Sequence, residues 1–213
     1  YEREKTLSLE EGYGIQLAPN SISILNKIGF SKIENSNFFN PSKLDFYSID
    51  NNKICDLNLT RFNTDKIKYT TLKRSTVIEF LKDNLFANNI RFGKEVKKVT
   101  KIKEKLLINF NDNTNDMVDF IIISDGVFSK TKSIIEKKVL EPRYNGSIAI
   151  RSTIKTPEKF GYDRENISII MFSNAHIVIY PINKKNELNL VCIVRQKSFK
   201  NRDPHSIIKK EIL

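Results

Sequence analysis

The spacing of apolar residues predicts a chain of many short strands and a few amphipathic helices. Apolar residues recur at helical spacing between Pro19 and Gly29, and glycine is typical just beyond the end of a helix. The same spacing recurs over residues 76–85, which predicts a second helix. Further patterns predict strands at residues 44–49 and 53–59 around a hairpin turn, short strands at 69–72 and 90–92, and strands at 96–102 and 106–110.

Residues 118–124 are nearly all apolar or β-branched, and Asp125-Gly126 follows them. A continuous apolar run of this length is typical of a strand buried on both faces of a parallel sheet. Residues 129–135 are predicted to be helical. The front two-thirds of the chain is therefore predicted to be α/β.

After Pro142 the mixed helix and strand patterns give way to a succession of strand patterns. This position is therefore the best candidate for a domain boundary. Short connections separate the next apolar segments, a pattern that predicts an antiparallel sheet. Asp203-Pro204 has the residue types of a helix start, and that helix would run to Leu213. The predicted strands of this part cover residues 147–154, 167–172, 176–182 and 188–195.

Composition excludes several classes of protein. The chain has 213 residues, 39% of them hydrophobic, so it is not disordered. Two cysteines and two histidines are too few for a disulfide scaffold or a convincing zinc cluster, and we expect a reducing, cytoplasmic environment and no metal. Its apolar runs are far shorter than the roughly 20 residues that span a bilayer, and no secretory leader is recognisable at its start.

The net charge of +11 raises nucleic acid as a possible partner. However, the lysines are spread through the chain, and the densest cluster, residues 94–105, alternates lysine with apolar residues as in a strand with one solvated face. No zinc finger, RNP-type aromatic motif or helix-turn-helix signature is recognisable. We expect no nucleic-acid partner, and a basic nucleic-acid-binding module remains the lesser alternative.

Several stretches, in this order and spacing, resemble the FAD-dependent aromatic-ring monooxygenases of the p-hydroxybenzoate hydroxylase family, in particular its salicylate hydroxylase-like branch. The glycine-and-PN segment and the DGxxS segment are jointly specific, and the resemblance covers essentially the whole chain. The segments that carry it are YER at 1–3, GYGIQLAPN at 12–20, LKRSTVIEFL at 72–81, DFIIISDGVFSKTK at 119–132, HIVIYP at 176–181 and NLV at 189–191.

The resemblance implies a reaction. In this family NADH or NADPH reduces FAD, the reduced flavin binds oxygen as a hydroperoxide, and one oxygen atom passes to an aromatic or related substrate. The implied partners are thus FAD, a nicotinamide co-substrate, molecular oxygen and a small aromatic substrate, in a monomer or homodimer. The alternative is another flavoprotein of the same superfamily, such as a reductase, epoxidase or halogenase.

The resemblance also implies an α/β fold, with a Rossmann-like FAD/NAD(P)-binding domain and an inserted, mostly antiparallel substrate sheet. The FAD-binding domain would comprise residues 1–43 and 69–142, and the substrate domain residues 44–68 and 143–202, with residues 203–213 beginning another helix. The family's GxGxxG turn would precede Tyr1, and its later Gly-Asp segment would follow Leu213. We therefore expect the middle of a longer flavoenzyme, inactive by itself and poor at binding FAD.

Seven residues are implied to contact FAD. An acidic residue about 20 positions beyond the Gly-rich turn accepts hydrogen bonds from ribose hydroxyls in such folds, and the resemblance gives this role to Glu2. Without the resemblance, the spacing alone favours the simpler interpretation of Glu2 as an acid at the end of the chain. The full set is Glu2, Arg3, Gly14, Arg74, Val96, Asp125 and Gly126.

Simpler interpretations of these residues stay open. Arg74 precedes a helix and is suited to bind phosphate or ribityl oxygens, but it also reads as a solvated cation. Asp125-Gly126 ends a strand where α/β sheets bind ligands, yet Asp-Gly is a common turn. Val96 also suits the core. Lys132 stands where the family has arginine, so the bidentate contact is lost.

Three residues are implied to serve the substrate pocket. Gln16 stands where some relatives present a polar side chain, although a surface amide at a strand end fits equally. His176 and Tyr180 are four positions apart on a predicted strand and so share a face. Together they would orient or deprotonate a phenolic substrate; otherwise they are a half-exposed histidine and a core tyrosine. Arg151, in an otherwise apolar strand, also has two interpretations, as a residue that serves the pocket or as one without a role there.

Overall fold

The computed structural model describes residues 1–7, 9, 13–85, 89–155 and 163–196. It contains α-helices, short 3-10 turns and three sheets, so the predicted α/β class is confirmed. The strands are β1 Gly14–Leu17, β2 Phe38–Phe39, β3 Lys43–Ser48, β4 Lys53–Asn58, β5 Thr70–Lys73, β6 Val96–Ile102, β7 Lys105–Phe110, β8 Asn115–Val118, β9 Ser147–Lys155, β10 Ile167–Met171, β11 Ala175–Pro181 and β12 Glu187–Arg195. The helices are α1 Pro19–Asn26, α2 Arg74–Asp83 and α3 Lys130–Glu136.

By its internal contacts the chain divides into two compact units. The smaller unit comprises residues 1–8 and 85–144, and the larger unit comprises residues 9–84 and the described part of 145–213. The larger unit contains two sheets, and the smaller unit contains one.

The main sheet of the larger unit has six strands in the order β4-β3-β10-β11-β12-β9. The β10–β11, β11–β12 and β12–β9 pairs are antiparallel, as the run of strands after Pro142 predicts. The β3–β4 hairpin joins this sheet because β3 pairs in parallel with β10. Chain segments far apart in sequence therefore build one continuous surface.

The second sheet of the larger unit has the order β1-β5-β2 and is covered by α1 and α2. Ile22, Phe30 and Leu72 are buried together beneath it, and the Phe30 and Phe80 rings meet edge to face with centroids 5.2 Å apart. This packing follows from the helical spacing of apolar residues in both helices.

The two sheets of the larger unit meet through polar contacts as well as apolar packing. The buried Thr71 hydroxyl of β5 donates a hydrogen bond to the Pro181 carbonyl of β11 at 2.5 Å. Leu59, Ile167, Tyr180 and Ile182 form a buried cluster in the same unit. The strand β1 is thereby held against the face of the main sheet that carries Tyr180.

The smaller unit is built on the antiparallel meander β6-β7-β8 and on α3, which contacts β6. The register of β6 against β7 shifts between Val96 and Lys98, which is a β-bulge. Ile108 and Phe110 of β7 are buried. Tyr1 packs on Phe110, with ring centroids 4.8 Å apart, so the first residues of the chain lie along this sheet.

Two predicted strands are wrong. Residues 90–92 form no strand, although the Arg91 carbonyl accepts a hydrogen bond from the Glu2 amide at 2.9 Å. Residues 119–124 also form no strand, and Phe120 and Ile122 are 75% and 80% exposed instead of buried. A strand buried on both faces needs neighbouring strands in a sheet, and the described residues provide none beside this segment.

The helix predicted for residues 203–213 lies outside the described residues. Within the described part of the chain, the helices are too short or too polar to cross a membrane.

Candidate functional site

The smaller unit contains a pocket of about 490 Å³ between the chain start, the beginning of β6 and the segment that leads into α3. We call this the Glu2 pocket. It brings together five of the seven residues that the sequence assigns to FAD, namely Glu2, Arg3, Val96, Asp125 and Gly126. They come from three distant stretches of the sequence, which the fold brings together.

Backbone hydrogen bonds hold Glu2 at the edge of this pocket. Its amide donates to the Arg91 carbonyl at 2.9 Å, and its carbonyl accepts from the Lys94 amide at 2.8 Å. One carboxylate oxygen, Oε1, accepts from the Glu4 amide at 2.9 Å. No hydrogen bond to Oε2 is found within the described residues, so this oxygen is available to accept one from a ligand hydroxyl.

The Asp125-Gly126 turn forms another side of the Glu2 pocket. Burial opposes ionisation of Asp125, but hydrogen bonds from Ser129 and Thr131 outweigh it and lower the pKa of the carboxyl group. Gly126 has a φ of +84°, which favours glycine, and nothing lies within 4 Å of the place where a Cβ would be. The turn therefore presents an ionised carboxylate beside an accessible backbone.

Charged side chains next to Val96 are already paired with each other. Lys130 contacts Glu95 at 2.9 Å, and this contact, together with a hydrogen bond from Asn111, lowers the pKa of Glu95. Arg3 is ion-paired with Glu4 at 2.9 Å. The β-bulge after Val96 interrupts the ladder at the edge of the pocket, as bulges beside binding sites commonly do.

The larger unit contains a second pocket, of about 340 Å³, on the face of the main sheet next to β1. We call this the Tyr180 pocket. Its floor comes from β11 and β12, and β1 and β9 flank it. The residues that line it are Gly14, Ile15, Gln16, Arg151, Val178, Tyr180 and Val191.

Gln16 connects two tyrosines at this pocket. Its Oε1 accepts a hydrogen bond from the Tyr69 hydroxyl at 2.7 Å, and its side chain lies close enough to Tyr180 to lower the pKa of the phenol. Tyr180 is only 3% exposed, and burial raises the pKa of its hydroxyl to about 12, although Arg151 and Gln16 act in the opposite direction. Tyr180 is therefore a neutral hydrogen-bonding group at physiological pH.

Gly14 makes a close contact with Asn189 beneath the pocket. The Gly14 amide donates to Oδ1 of the fully buried Asn189 at 2.6 Å. A Cβ at position 14 would lie 2.6 Å from the Asn189 Cβ and 2.7 Å from the Ile182 Cγ2. Only glycine allows this approach of β1 to the main sheet.

The remaining predicted site residues lie outside both pockets. Arg74 is exposed at the start of α2; its amide donates to the Tyr13 carbonyl at 2.8 Å, and its guanidinium forms neither a hydrogen bond nor an ion pair with the described residues. His176 lies opposite Met171 and Ile193 in the main sheet, on the face of Tyr180 but not among the residues that line its pocket.

Sequence reasoning did not identify Tyr69 or Asn189 as part of this arrangement. Asn189 has a signal in the sequence, because a polar amide in an apolar strand needs a partner when it is buried. Tyr69 has a weaker one, since it opens a predicted strand and carries a hydroxyl. Neither signal identifies the partner, which comes from a distant part of the chain.

No family model matches the chain. It is 24% identical over 182 residues to the 6-hydroxynicotinate 3-monooxygenase of Bordetella bronchiseptica, which covers 83% of this chain and 47% of the relative. It is 26% identical over 144 residues to the FAD-dependent monooxygenase pigN of Monascus ruber, covering 62% of this chain and 33% of the relative. The chain therefore spans less than half the length of these relatives.

A solved structure also has a similar fold. HpxO of Klebsiella pneumoniae, solved with FAD and uric acid, superposes with a TM-score of 0.79 at 16% identity and covers 98% of this chain and 53% of that chain. The resemblance read from the sequence is thus confirmed: the chain has the fold of HpxO, which was solved with FAD, and its relatives in sequence are monooxygenases, of which pigN is named as FAD-dependent.

Proposed function

We propose that this chain is part of an FAD-dependent monooxygenase that uses NADH or NADPH and molecular oxygen to hydroxylate a small aromatic compound. The observation that carries the proposal is the Glu2 pocket, which gathers five of the residues assigned to FAD from the sequence. The names of the relatives support hydroxylation and do not favour the alternative reactions or a nucleic-acid-binding module. Because the chain spans less than half of these relatives, the activity is proposed for the whole protein.

The residues of the Glu2 pocket fit a dinucleotide. The free Oε2 of Glu2 suits ribose hydroxyls, since a carboxylate only accepts hydrogen bonds and a sugar supplies donors. The open side of Gly126 allows a ligand to approach the backbone. When bound, FAD would supply the redox chemistry with NAD(P)H and oxygen that side chains do not provide.

The Tyr180 pocket is proposed to hold the substrate. Ile15, Val178 and Val191 supply an apolar surface that excludes water from an aromatic ring. Tyr180 and Gln16 are placed to orient a polar substituent on the ring by hydrogen bonding. The hydroxyl of Tyr180 keeps its proton at neutral pH, so it can donate one of these hydrogen bonds. A role for His176 stays a prediction.

The proposed reaction is balanced overall. The substrate, oxygen, NAD(P)H and a proton give the hydroxylated substrate, NAD(P)⁺ and water. One oxygen atom enters the product and the other leaves as water. The two electrons come from the nicotinamide.

The test is to express the protein from its complete reading frame and measure bound FAD. Substrate-stimulated oxidation of NAD(P)H is measured next. In Glu2→Gln, FAD affinity should fall about tenfold, which corresponds to about 1.4 kcal/mol, because a charge-assisted acceptor is lost. Glu104→Gln is a matched control, since Glu104 is exposed in the turn between β6 and β7 and does not line the pocket. A protein that takes up no FAD would overturn the proposal, and equal FAD affinity in both variants would overturn the role of Glu2.

A further inference from the structure

We propose that Asp116 is a positioning residue for the dinucleotide, because its carboxylate fixes the segment of chain that presents Glu2. This rests on the proposed function, in which Glu2 accepts hydrogen bonds from a ribose of FAD. Asp116 belongs to β8 and is not among the residues that line the Glu2 pocket. It would therefore act on the ligand through other residues and not by touching it.

Backbone hydrogen bonds pair the segment that carries Glu2 with the loop that precedes β6. The Glu2 amide donates to the Arg91 carbonyl at 2.9 Å, and the Glu2 carbonyl accepts from the Lys94 amide at 2.8 Å. The Gly93 amide donates to the Glu4 carbonyl at 3.0 Å. This loop belongs to no helix or strand, so these bonds position Glu2 only if the loop itself is held in place.

The Asp116 carboxylate holds both partners of this pairing through one oxygen atom. Its Oδ2 accepts a hydrogen bond from the Tyr1 hydroxyl at 2.5 Å and contacts Nη1 of Arg91 at 2.7 Å. Tyr1 precedes Glu2, and Arg91 is the residue whose carbonyl receives the Glu2 amide. Asp116 thus ties the Glu2 segment and the loop to the sheet of the smaller unit, in which it lies opposite Ile108.

Ring contacts strengthen this arrangement. The Tyr1 ring packs on the buried Phe110, and the Arg91 guanidinium lies 5.8 Å from the centre of the Tyr1 ring. A cation at that distance from an aromatic face is attracted to it. Asp116, Tyr1 and Arg91 therefore contact each other pairwise, and we call these three residues the Asp116 anchor. Each of them is restricted by the other two.

The charge of Asp116 favours these contacts at neutral pH. The hydrogen bond from Tyr1 is the main cause that lowers the pKa of Asp116; Arg91 acts in the same direction, and burial acts against them. The carboxylate is therefore ionised, and a hydrogen bond to a charged acceptor is stronger than one between neutral groups. The Asp116 side chain is 29% exposed, so water screens its pair with Arg91 in part and the expected contribution to FAD binding is modest.

The first measurement is FAD binding by variants of Asp116, in the protein expressed from its complete reading frame. Asp116→Ala should weaken FAD binding about fivefold, which is less than the loss expected for Glu2→Gln because the Glu2 carboxylate remains. Asp116→Asn should weaken it less than Asp116→Ala does, since an amide oxygen still accepts from the Tyr1 hydroxyl. Equal FAD affinity in Asp116→Ala and the unmodified protein would overturn the inference.

Asp119→Ala is the matched control. Asp119 is an aspartate of the same unit, its side chain is 75% exposed, and its ion pair is with Lys105 at 3.4 Å. It does not line the Glu2 pocket, so this variant should bind FAD as the unmodified protein does. Equal losses in Asp119→Ala and Asp116→Ala would overturn the inference, because they would follow from the lost charge alone.

A double-mutant cycle separates the positioning of Glu2 from a general loss of stability. Asp116→Ala introduced into the Glu2→Gln protein should weaken FAD binding by no more than about twofold, because the charged acceptor that Asp116 positions is already gone. A loss of the same size in both backgrounds would show that Asp116 does not act through Glu2.

Hydrogen exchange in the ligand-free protein tests the Asp116 anchor without FAD. In Asp116→Ala the amides of Glu2 and Lys94 should exchange about tenfold faster, whereas amides in the middle of β7 should keep their rates. Equal acceleration at both places would indicate general unfolding and would contradict the anchor. If Asp116→Ala does not fold, Asp116→Asn and Tyr1→Phe decide the question, since unchanged exchange at Glu2 in both would overturn the inference.

Failure of this inference is distinguishable from failure of the proposed function. A protein that binds FAD equally well with and without the Asp116 carboxylate contradicts only the positioning role. A protein that takes up no FAD contradicts the proposed function, and hydrogen exchange on that protein still reports whether Asp116 holds Glu2 in place.

Discussion

The backbone amide of Gly14 donates a hydrogen bond to the side-chain oxygen of Asn189 at 2.6 Å, and this contact anchors β1 on the main sheet. Asn189 is fully buried and lies opposite Tyr180 in the register of β11 and β12. Gln16 is two residues further along β1 and contacts Tyr180. The Gly14–Asn189 contact therefore positions the polar side of the Tyr180 pocket.

Gly14→Ala should destabilise the larger unit by about 2–3 kcal/mol, which is in the range for overpacking a well-packed core. The added methyl group would lie 2.6–2.7 Å from atoms of Asn189 and Ile182, both 0% exposed. Denaturant unfolding of the two proteins measures the difference.

Gly93→Ala serves as the comparison for that measurement. A Cβ at Gly93 meets nothing within 4 Å, so the cost there comes only from its φ of +68° and should be about 1 kcal/mol. Equal losses for the two variants would show that the approach of β1 to Asn189 is not what makes Gly14 necessary.

Gln16→Leu should destabilise the protein by about 1–2 kcal/mol and raise the pKa of Tyr180 further. The Tyr69 hydroxyl would lose its acceptor, and Tyr180 would lose a polar neighbour that lowers the pKa of its hydroxyl. Alkaline titration of tyrosinate absorbance measures the second effect. In Tyr69→Phe, Gln16 remains, so its lowering effect on the pKa of Tyr180 should persist. An unchanged titration of Tyr180 in Gln16→Leu would contradict this effect of Gln16.

Stability should fall with rising pH between pH 10 and about 12 because of Tyr180. In the unfolded chain a tyrosine has a pKa near 10.0, whereas burial raises the pKa of Tyr180 to about 12 in the folded protein. In that window the unfolded state has released the proton and the folded state still holds it, so the contribution present below pH 10 is lost as pH rises. The loss is on the order of 2 kcal/mol.

Urea unfolding at a series of alkaline pH values, compared between the unmodified protein and Tyr180→Phe, isolates this contribution. The phenylalanine variant should show a shallower decline, because the other tyrosines titrate equally in both proteins. Identical slopes would mean that Tyr180 ionises as easily in the folded state as in the unfolded one.

Lys53→Met should destabilise the protein much more than Asp56→Asn. Lys53 contacts both Asp45, at 2.7 Å, and Asp56, at 2.8 Å, but the Asp45 side chain is 3% exposed and the Asp56 side chain is 37% exposed. Removing the lysine leaves a carboxylate buried without its counter-charge, whereas removing the Asp56 charge breaks only a solvent-screened pair. Thermal unfolding of both variants tests this, and similar melting temperatures would contradict it.

Local patterns in the sequence predicted most of the secondary structure. The hairpin around residues 50–52 forms as expected, with Asn51 at a φ of +61°, and the predicted helix over 76–85 is found as α2, Arg74–Asp83. These elements depend on turn chemistry and on helical spacing within a few residues. Residues 119–124 were mispredicted because an apolar pattern is typical of a buried strand but does not show whether a neighbouring strand is present to pair with it.

The candidate sites could not be predicted from local sequence patterns alone. The assignments of Glu2, Asp125 and Gly126 depended on a family resemblance, and the fold brings these residues into one pocket. Asn189 was missed because its partner, Gly14, is 175 positions away, and no periodicity predicts such a contact. His176 was placed correctly on the face of Tyr180, but the alternation of a strand does not say how far a pocket extends along it.

The exposed segment 119–128 has a consequence for handling the protein in solution. Phe120, Ile122, Val127 and Phe128 are each more than 70% exposed, at 75%, 80%, 72% and 80%. Clustered apolar side chains of this kind promote self-association, while the net charge of +11 keeps copies of the chain apart. Added salt screens that repulsion without weakening the apolar attraction, so these 213 residues should be most soluble in dilute buffer and should aggregate as ionic strength increases.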